Sequence, residues 1–237
     1  MRKKPTFDLW SDSIGDSTLS DAAHEARLAE VESRIEAKRD AITTIELARL
    51  HTQASDLLLE LERPDEAWER ARPKLPVFIG AGCWVNAINI CDILFRCELA
   101  DSLVALGHGT WLAVTYPVEP ALTLTMLQYI IEETPDDSDG AAVAAATGAW
   151  ICDLRKSESD DSGAELQSME MLTRVARRHS GIEGQREFDQ WIRQLELDNP
   201  EKFLVRLRNV IDVLVQDDWW FDRELLQENI ADEEFTT

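Results

Sequence analysis

Asn199-Pro200-Glu201-Lys202-Phe203-Leu204-Val205-Arg206-Leu207-Arg208-Asn209-Val210-Ile211-Asp212-Val213-Leu214 decides the fold class. Phe203, Leu204, Leu207, Val210, Ile211 and Leu214 recur with the period of an α-helix, so one side of the segment is apolar and the other polar. Asn199-Pro200-Glu201 is a helix start. It supplies a capping residue, a proline at the first position where its missing N–H costs nothing, and an acid at the positive end of the helix dipole.

The same period extends outward. Residues 185–195 and 165–179 read as amphipathic helices, and the Ala-rich run 141–154 is a strong helix former that permits close packing. Residues 117–133 carry Leu122, Met126, Leu127, Ile130 and Ile131. Residues 99–114 are apolar and helical in character, weakened by Gly107 and Gly109. Residues 82–97 place Trp84, Ile88, Cys91 and Phe95 on one face. Pro64 fits the first turn of another helix, which Pro73 and Pro76 limit or kink. Further back, Leu28, Val31, Ile35, Ile42 and Ile45 follow a heptad-like spacing. After a two-residue phase shift, Leu47, Leu50, Ala54, Leu57 and Leu61 continue it. This predicts one long helix, with Ser20 as its cap, or two helices joined near residue 45. Asp217 or Asp218 is expected to cap a last helix through Leu226.

No alternating run is long enough for a strand. The expected fold is all-α: an array of about nine or ten antiparallel helices joined by short loops, either a solenoid-like helical repeat or an irregular bundle. Along the chain we expect a tail over 1–19, a helical body over 20–155 and an acidic linker over 156–163. A C-terminal helical segment over 164–231 should pack on the body, followed by an acidic tail over 232–237.

Hydrophobic residues make up 44% of the 237, enough to bury a core rather than leave the chain disordered. The 46 acidic residues outnumber the 24 basic ones, for a net charge of -22. Such a surface repels phosphates and anionic lipid, which argues against direct binding of nucleic acid, since that affinity rests on Lys and Arg displacing counterions. It suits a basic partner surface; a salt-adapted source is an equal explanation. No run of about 18 apolar residues predicts a membrane span. The start Met1-Arg2-Lys3-Lys4-Pro5 is followed by Asp8, Trp10 and Asp12, where a signal peptide needs an apolar core, so a cytoplasmic protein is expected.

Two segments resemble the second helix of a tetratricopeptide unit: Pro64-Asp65-Glu66-Ala67-Trp68 and Gly82-Cys83-Trp84-Val85-Asn86-Ala87-Ile88. In that family a Gly and an aromatic precede an Ala–hydrophobic pair, because the small Ala lets paired helices touch. Glu62 stands where the first segment should have its Gly. Ala67 and Ala87 lie 20 positions apart, against about 34 for successive repeats. The resemblance covers about a quarter of the chain and implies helix pairs stacked into a concave protein-binding surface.

No catalytic, cofactor or metal motif stands out. Asp136-Asp137-Ser138-Asp139-Gly140 invites calcium, but Pro135 and Ala146 stand where ligands are needed, so it reads as a helix-capping turn. His24, His51, His108 and His179 show no metal-ligand spacing. Cys83, Cys91, Cys97 and Cys152 read as small hydrophobes. Gly107-His108-Gly109-Thr110 has two readings. One is an exposed loop with His108 as base and Thr110 as nucleophile; the other is a pair of glycines that let helices approach. Trp219-Trp220-Phe221, flanked by Asp217, Asp218 and Asp222, cannot all face a core at helical spacing, so at least one ring should sit at a rim, where aromatics often anchor a partner; use in the core or in docking a tail is the other reading. Phe7, Leu9 and Trp10 form an apolar island in the N-terminal tail and pose the same question.

These features point to a non-enzymatic interaction protein, an adaptor, assembly factor or structural subunit, whose partner is another protein. An enzyme of unrecognised type and an acidic mimic of nucleic acid that blocks a DNA-binding protein are the alternatives. Deleting residues 1–19 tests the apolar island. Lost partners at an unchanged melting temperature identify a docking motif, and a lowered melting temperature identifies a segment that packs on its own chain.

Overall fold

The computed structural model describes residues 21–38, 41–156 and 162–234, and every regular element among them is helical. Helices α1 (Asp21–Lys38) and α2 (Thr44–Glu60) form a hairpin. Two helices rather than one long one are present, and the phase shift after Ile45 falls just inside α2. Thr43 caps α2 reciprocally: Glu46 N–H donates to its Oγ1 at 3.2 Å, and Thr43 N–H donates to Glu46 Oε2 at 3.0 Å. Next come α3 (Pro64–Ala71), one tight turn at Arg72–Lys74, and α4 (Leu75–Gly80). Pro73 and Pro76 divide this stretch, since neither can donate to the preceding turn.

The body follows as α5 (Trp84–Arg96), α6 (Ser102–Thr115), α7 (Pro120–Glu133) and α8 (Asp139–Leu154). After it come α9 (Ser162–Ser180), α10 (Gln185–Gln194), α11 (Pro200–Val215) and α12 (Arg223–Glu234). Successive helices α5 to α9 pack side by side, and α11 returns to lie against both α6 and α8. The Ala-rich face of α8 is wholly buried, with Ala141, Ala142, Ala144 and Ala145 fully inaccessible. On α11 the buried line is Phe203, Leu207, Ile211 and Val215, while Leu204, Val210 and Leu214 sit half-buried at its edges. Asn199 takes the capping position before Pro200, although its side chain makes no capping bond.

Gly107 and Gly109 belong to the interior of α6, not to an exposed loop. A Cβ on Gly107 would come within 2.4 Å of Val215 on α11. One on Gly109 would lie 2.8 Å from Cys91 Cβ on α5 and from Met126 Sδ on α7. The glycine pair is where three helices press onto the fourth. Two apolar clusters result. The larger runs from Ala48 on α2 to Val215 on α11, and the smaller gathers Leu28, Val31, Ile35, Ala54, Leu57 and Ala67 from α1, α2 and α3.

Three arginines close helix ends left open by the backbone. Arg155 donates to Ala113 O at 3.0 Å and Val114 O at 2.9 Å, the last carbonyls of α6. Arg178 donates to Ile131 O at 3.0 Å near the end of α7, and Arg206 donates to Leu195 O after α10.

Segment boundaries differ from the sequence expectation at three places. Helix α9 begins at Ser162, inside the expected linker, because Ser and Gly are well tolerated at a helix start. Helix α12 runs to Glu234, into the expected acidic tail, since Ala and Glu are good helix formers. It starts only at Arg223, where Leu225 N–H donates to Asp222 Oδ1 at 3.0 Å; Asp222 is therefore the cap rather than Asp217 or Asp218. Ser20, the tail over 1–19 with Phe7, Leu9 and Trp10, residues 157–161 and residues 235–237 lie outside the described residues.

Replacing Leu207 or Ile211 by Ala is expected to cost about 2–5 kcal/mol each. Gly109→Ala, which adds one methyl where Cys91 cannot retreat, should cost about 1–3 kcal/mol. Chemical denaturation of each variant measures both.

Candidate functional site

The sequence singles out Trp219, Trp220 and Phe221 on helical spacing, but they are not helical. They occupy the extended link between α11 and α12, and all three are half-buried. What they cover is His108, the second residue of the Gly-His-Gly-Thr stretch, which is wholly inaccessible on α6. Trp220 stacks on the imidazole with centroids 4.5 Å apart and planes within 13°. Trp219 and Phe221 meet it edge-on at 5.1 and 5.0 Å. On its other side the Trp220 ring carries the Arg72 guanidinium at 3.9 Å.

Hydrogen bonding fixes the state of this histidine. Nδ1 faces Val104 O at 2.6 Å, and a carbonyl can only accept, so Nδ1 bears the proton. Nε2 receives the Trp220 backbone N–H at 3.0 Å, so Nε2 is bare. The ring is therefore neutral. Burial lowers its pKa from 6.5 to about 4; the Arg72 charge also lowers it, against the Val104 bond and Asp218. Both nitrogens are occupied, and Thr110, two residues along a helix, points to the opposite side. The sequence reading of His108 and Thr110 as base and nucleophile is thereby corrected.

The aromatic contacts continue from this point. Trp68 meets Trp220 edge-on at 6.2 Å, Trp111 touches Phe221 at 5.5 Å, and Trp111 meets Tyr116 at 6.3 Å. Tyr116 stacks on Trp84 at 3.5 Å. Five of the eight tryptophans, numbers 68, 84, 111, 219 and 220, join one strip. Its half-buried members are rimmed by exposed Asp217, Asp218 and Asp222. Gln216, at the start of the link, is held at φ 53° and ψ -125°. Only glycine adopts such a conformation freely, and a residue with a side chain stores about 1–3 kcal/mol there.

A second polar centre joins α2 to α5, and periodicity gave no sign of it. Arg96 contacts Asp56 at 3.0 Å, Asp92 at 3.1 Å and Glu60 at 3.3 Å. Burial raises the Asp92 carboxyl, while Arg96 and the Tyr129 phenol from α7 favour its ionised form. Burial pushes the Cys91 thiol up as well, so it stays un-ionised.

A third centre has the order of a proton relay. Ser180 Oγ lies 2.6 Å from His179 Nδ1, and His179 Nε2 lies 3.2 Å from Asp139 Oδ1. Trp191 Nε1–H donates to the same Nδ1 at 3.3 Å, so that lone pair is shared. The N–H groups that follow are spent: Gly181 donates to Arg177 O and Ile182 to Ala176 O. The arrangement ties α8, α9 and α10 together, and Asp139, from the candidate calcium turn, faces His179 and Arg206. No set of three metal-ligating side chains converges among the described residues.

Compared with protein-family models, curated proteins and solved structures, the chain is similar to none.

Arg96→Ala should cost about 3–5 kcal/mol at neutral pH, because Asp92 is left charged and buried. A carboxyl whose folded pKa is raised gains stability as pH falls, so the deficit should shrink on acidification. Urea melts at two pH values measure this.

Proposed function

We propose that this chain is a non-enzymatic interaction protein that engages a partner with a basic surface. The observation that supports this is the link at 217–222. It presents three consecutive aromatic residues, each half-buried, inside a rim of exposed carboxylates. Aromatic side chains dominate binding energy at the centre of interfaces. Acidic residues around them would steer a basic surface into register, and a net charge of -22 would speed the encounter. No helix among the described residues is long and apolar enough to cross a membrane.

The chemistry-bearing groups argue in the same direction. The His108 nitrogens are both occupied, the Cys91 thiol is buried, and the His179 Nδ1 lone pair is shared with Trp191. Such groups serve packing better than turnover.

Affinity purification of the native protein, with mass spectrometry of what accompanies it, tests the proposal. Asp217→Arg and Trp219→Ala should each lose a partner that the unaltered protein retains, and Asp217→Arg should leave the melting temperature unchanged. Retention of all partners by both variants refutes this binding face. Binding should weaken steeply with salt.

A further inference from the structure

We propose that residues 216–226 form a detachable latch, clasped to the body by neutral His108 and released when that imidazole takes up a proton. The inference concerns the chain alone and stands whether or not the link binds a partner.

Ring contacts rather than a ladder of backbone bonds hold the latch: Trp220 also meets Trp68 and the Arg72 guanidinium, and Trp219 and Phe221 meet Trp111. The Trp220 N–H bond to Nε2 is its one backbone bond to α6, and the stacked and edge-on rings surround that bond. At its far end Arg223 pairs with Asp212 of α11 at 2.8 Å, and the Tyr116 hydroxyl donates to Leu226 O at 3.5 Å. At its near end Val215 is locked against Gly107, while the next residue, Gln216, is strained. Opening would relax Gln216 without disturbing α11. The fold therefore places a hinge directly after a side chain pressed onto Gly107.

Protonation strikes the clasp itself. A proton on Nε2 turns the acceptor into a donor that faces the Trp220 N–H, so the bond is replaced by repulsion. The new charge would also sit in a buried site with the Arg72 guanidinium across the Trp220 ring; from the latch, Asp218 offers the one opposing charge acting on the ring. On α5, which packs against α6, the nearby Cys91 thiol lies over Gly109 and is un-ionised. On α11 the Asp212 carboxylate is engaged by Arg223.

The sign follows from linkage. A histidine held at about 4 when closed, against 6.5 when free, binds its proton more readily in the open state. Closure is complete above about pH 6.5 and weakens as pH falls toward about 4. Between pH of about 7.5 and about 5, the opening equilibrium should rise roughly 30-fold. The open form would uncover His108, Trp111 and Trp68 on the body and free the aromatic link as a peptide.

Hydrogen exchange with mass spectrometry on the full chain, corrected for intrinsic pH dependence, provides the test. The expected result is a selective loss of protection across 217–226 on acidification, with α8 unchanged. His108→Gln, whose carbonyl can still accept the Trp220 N–H but cannot be charged, should abolish that loss. An unaltered protein whose 217–226 protection ignores pH overturns the proposal. So does parallel loss in α8, or an identical pH response in His108→Gln. Should the variant fail to fold, the segment-specific pH response of the unaltered chain decides the question.

Discussion

Close approach at α6 is the constraint around which the body is organised. Helices usually keep apart by the thickness of their side chains. At Gly107 and Gly109 that thickness is gone, and Val215, Cys91 and Met126 fill the space a methyl group would need. Because α11 is drawn in at Gly107, the chain leaves α11 directly above His108. The position of the aromatic link is thus set by a missing side chain one residue away. The buried histidine is tolerable because the link satisfies its acceptor and the helix satisfies its donor.

Electrostatics shape the rest through scarcity. With 24 basic residues among 46 acidic ones, each arginine has many possible carboxylate partners. Yet Arg155, Arg178 and Arg206 point at carbonyl oxygens near helix C-termini, where the backbone dipole is negative and the last acceptors are unpaired. Arg155 alone serves Ala113, Val114, Val118 and Thr123, stitching the end of α8 to the turn after α6. A planar five-donor head suits this work better than a lysine would. Arg96 gathers three carboxylates, Asp56, Asp92 and Glu60, where α2 meets α5.

The fold was legible in the sequence wherever a helix has one wet and one dry side. The stripe on α11 and the Ala run of α8 announced themselves, because burial on one face imposes a 3.6-residue period; the phase shift after Ile45 left one long helix or two as open choices. The site was legible in its members but not in its arrangement. Trp219-Trp220-Phe221 and Gly107-His108-Gly109-Thr110 stand out as unusual stretches, yet nothing local joins them. Their contact spans 112 residues, and a non-helical link carries no period from which to read which way its rings point. Asp92 and Arg96 escaped notice for a related reason: an i,i+4 pair normally marks a solvated helix face. Here it marks a buried one.

The two apolar clusters meet across that polar seam. The α1–α2–α3 cluster is small, and the Arg96 bridges to Asp56 and Glu60 run along its border with the larger core. Breaking such a buried centre leaves a charge without its partner, so the seam fastens the two clusters to each other. Ala48 of α2 and Ala71 of α3 belong to the larger cluster, and Leu59 and Trp68 pack against both, so the hairpin shares its core with the body. A protease should therefore find no early foothold in α2, because freeing that helix would strip both clusters at once.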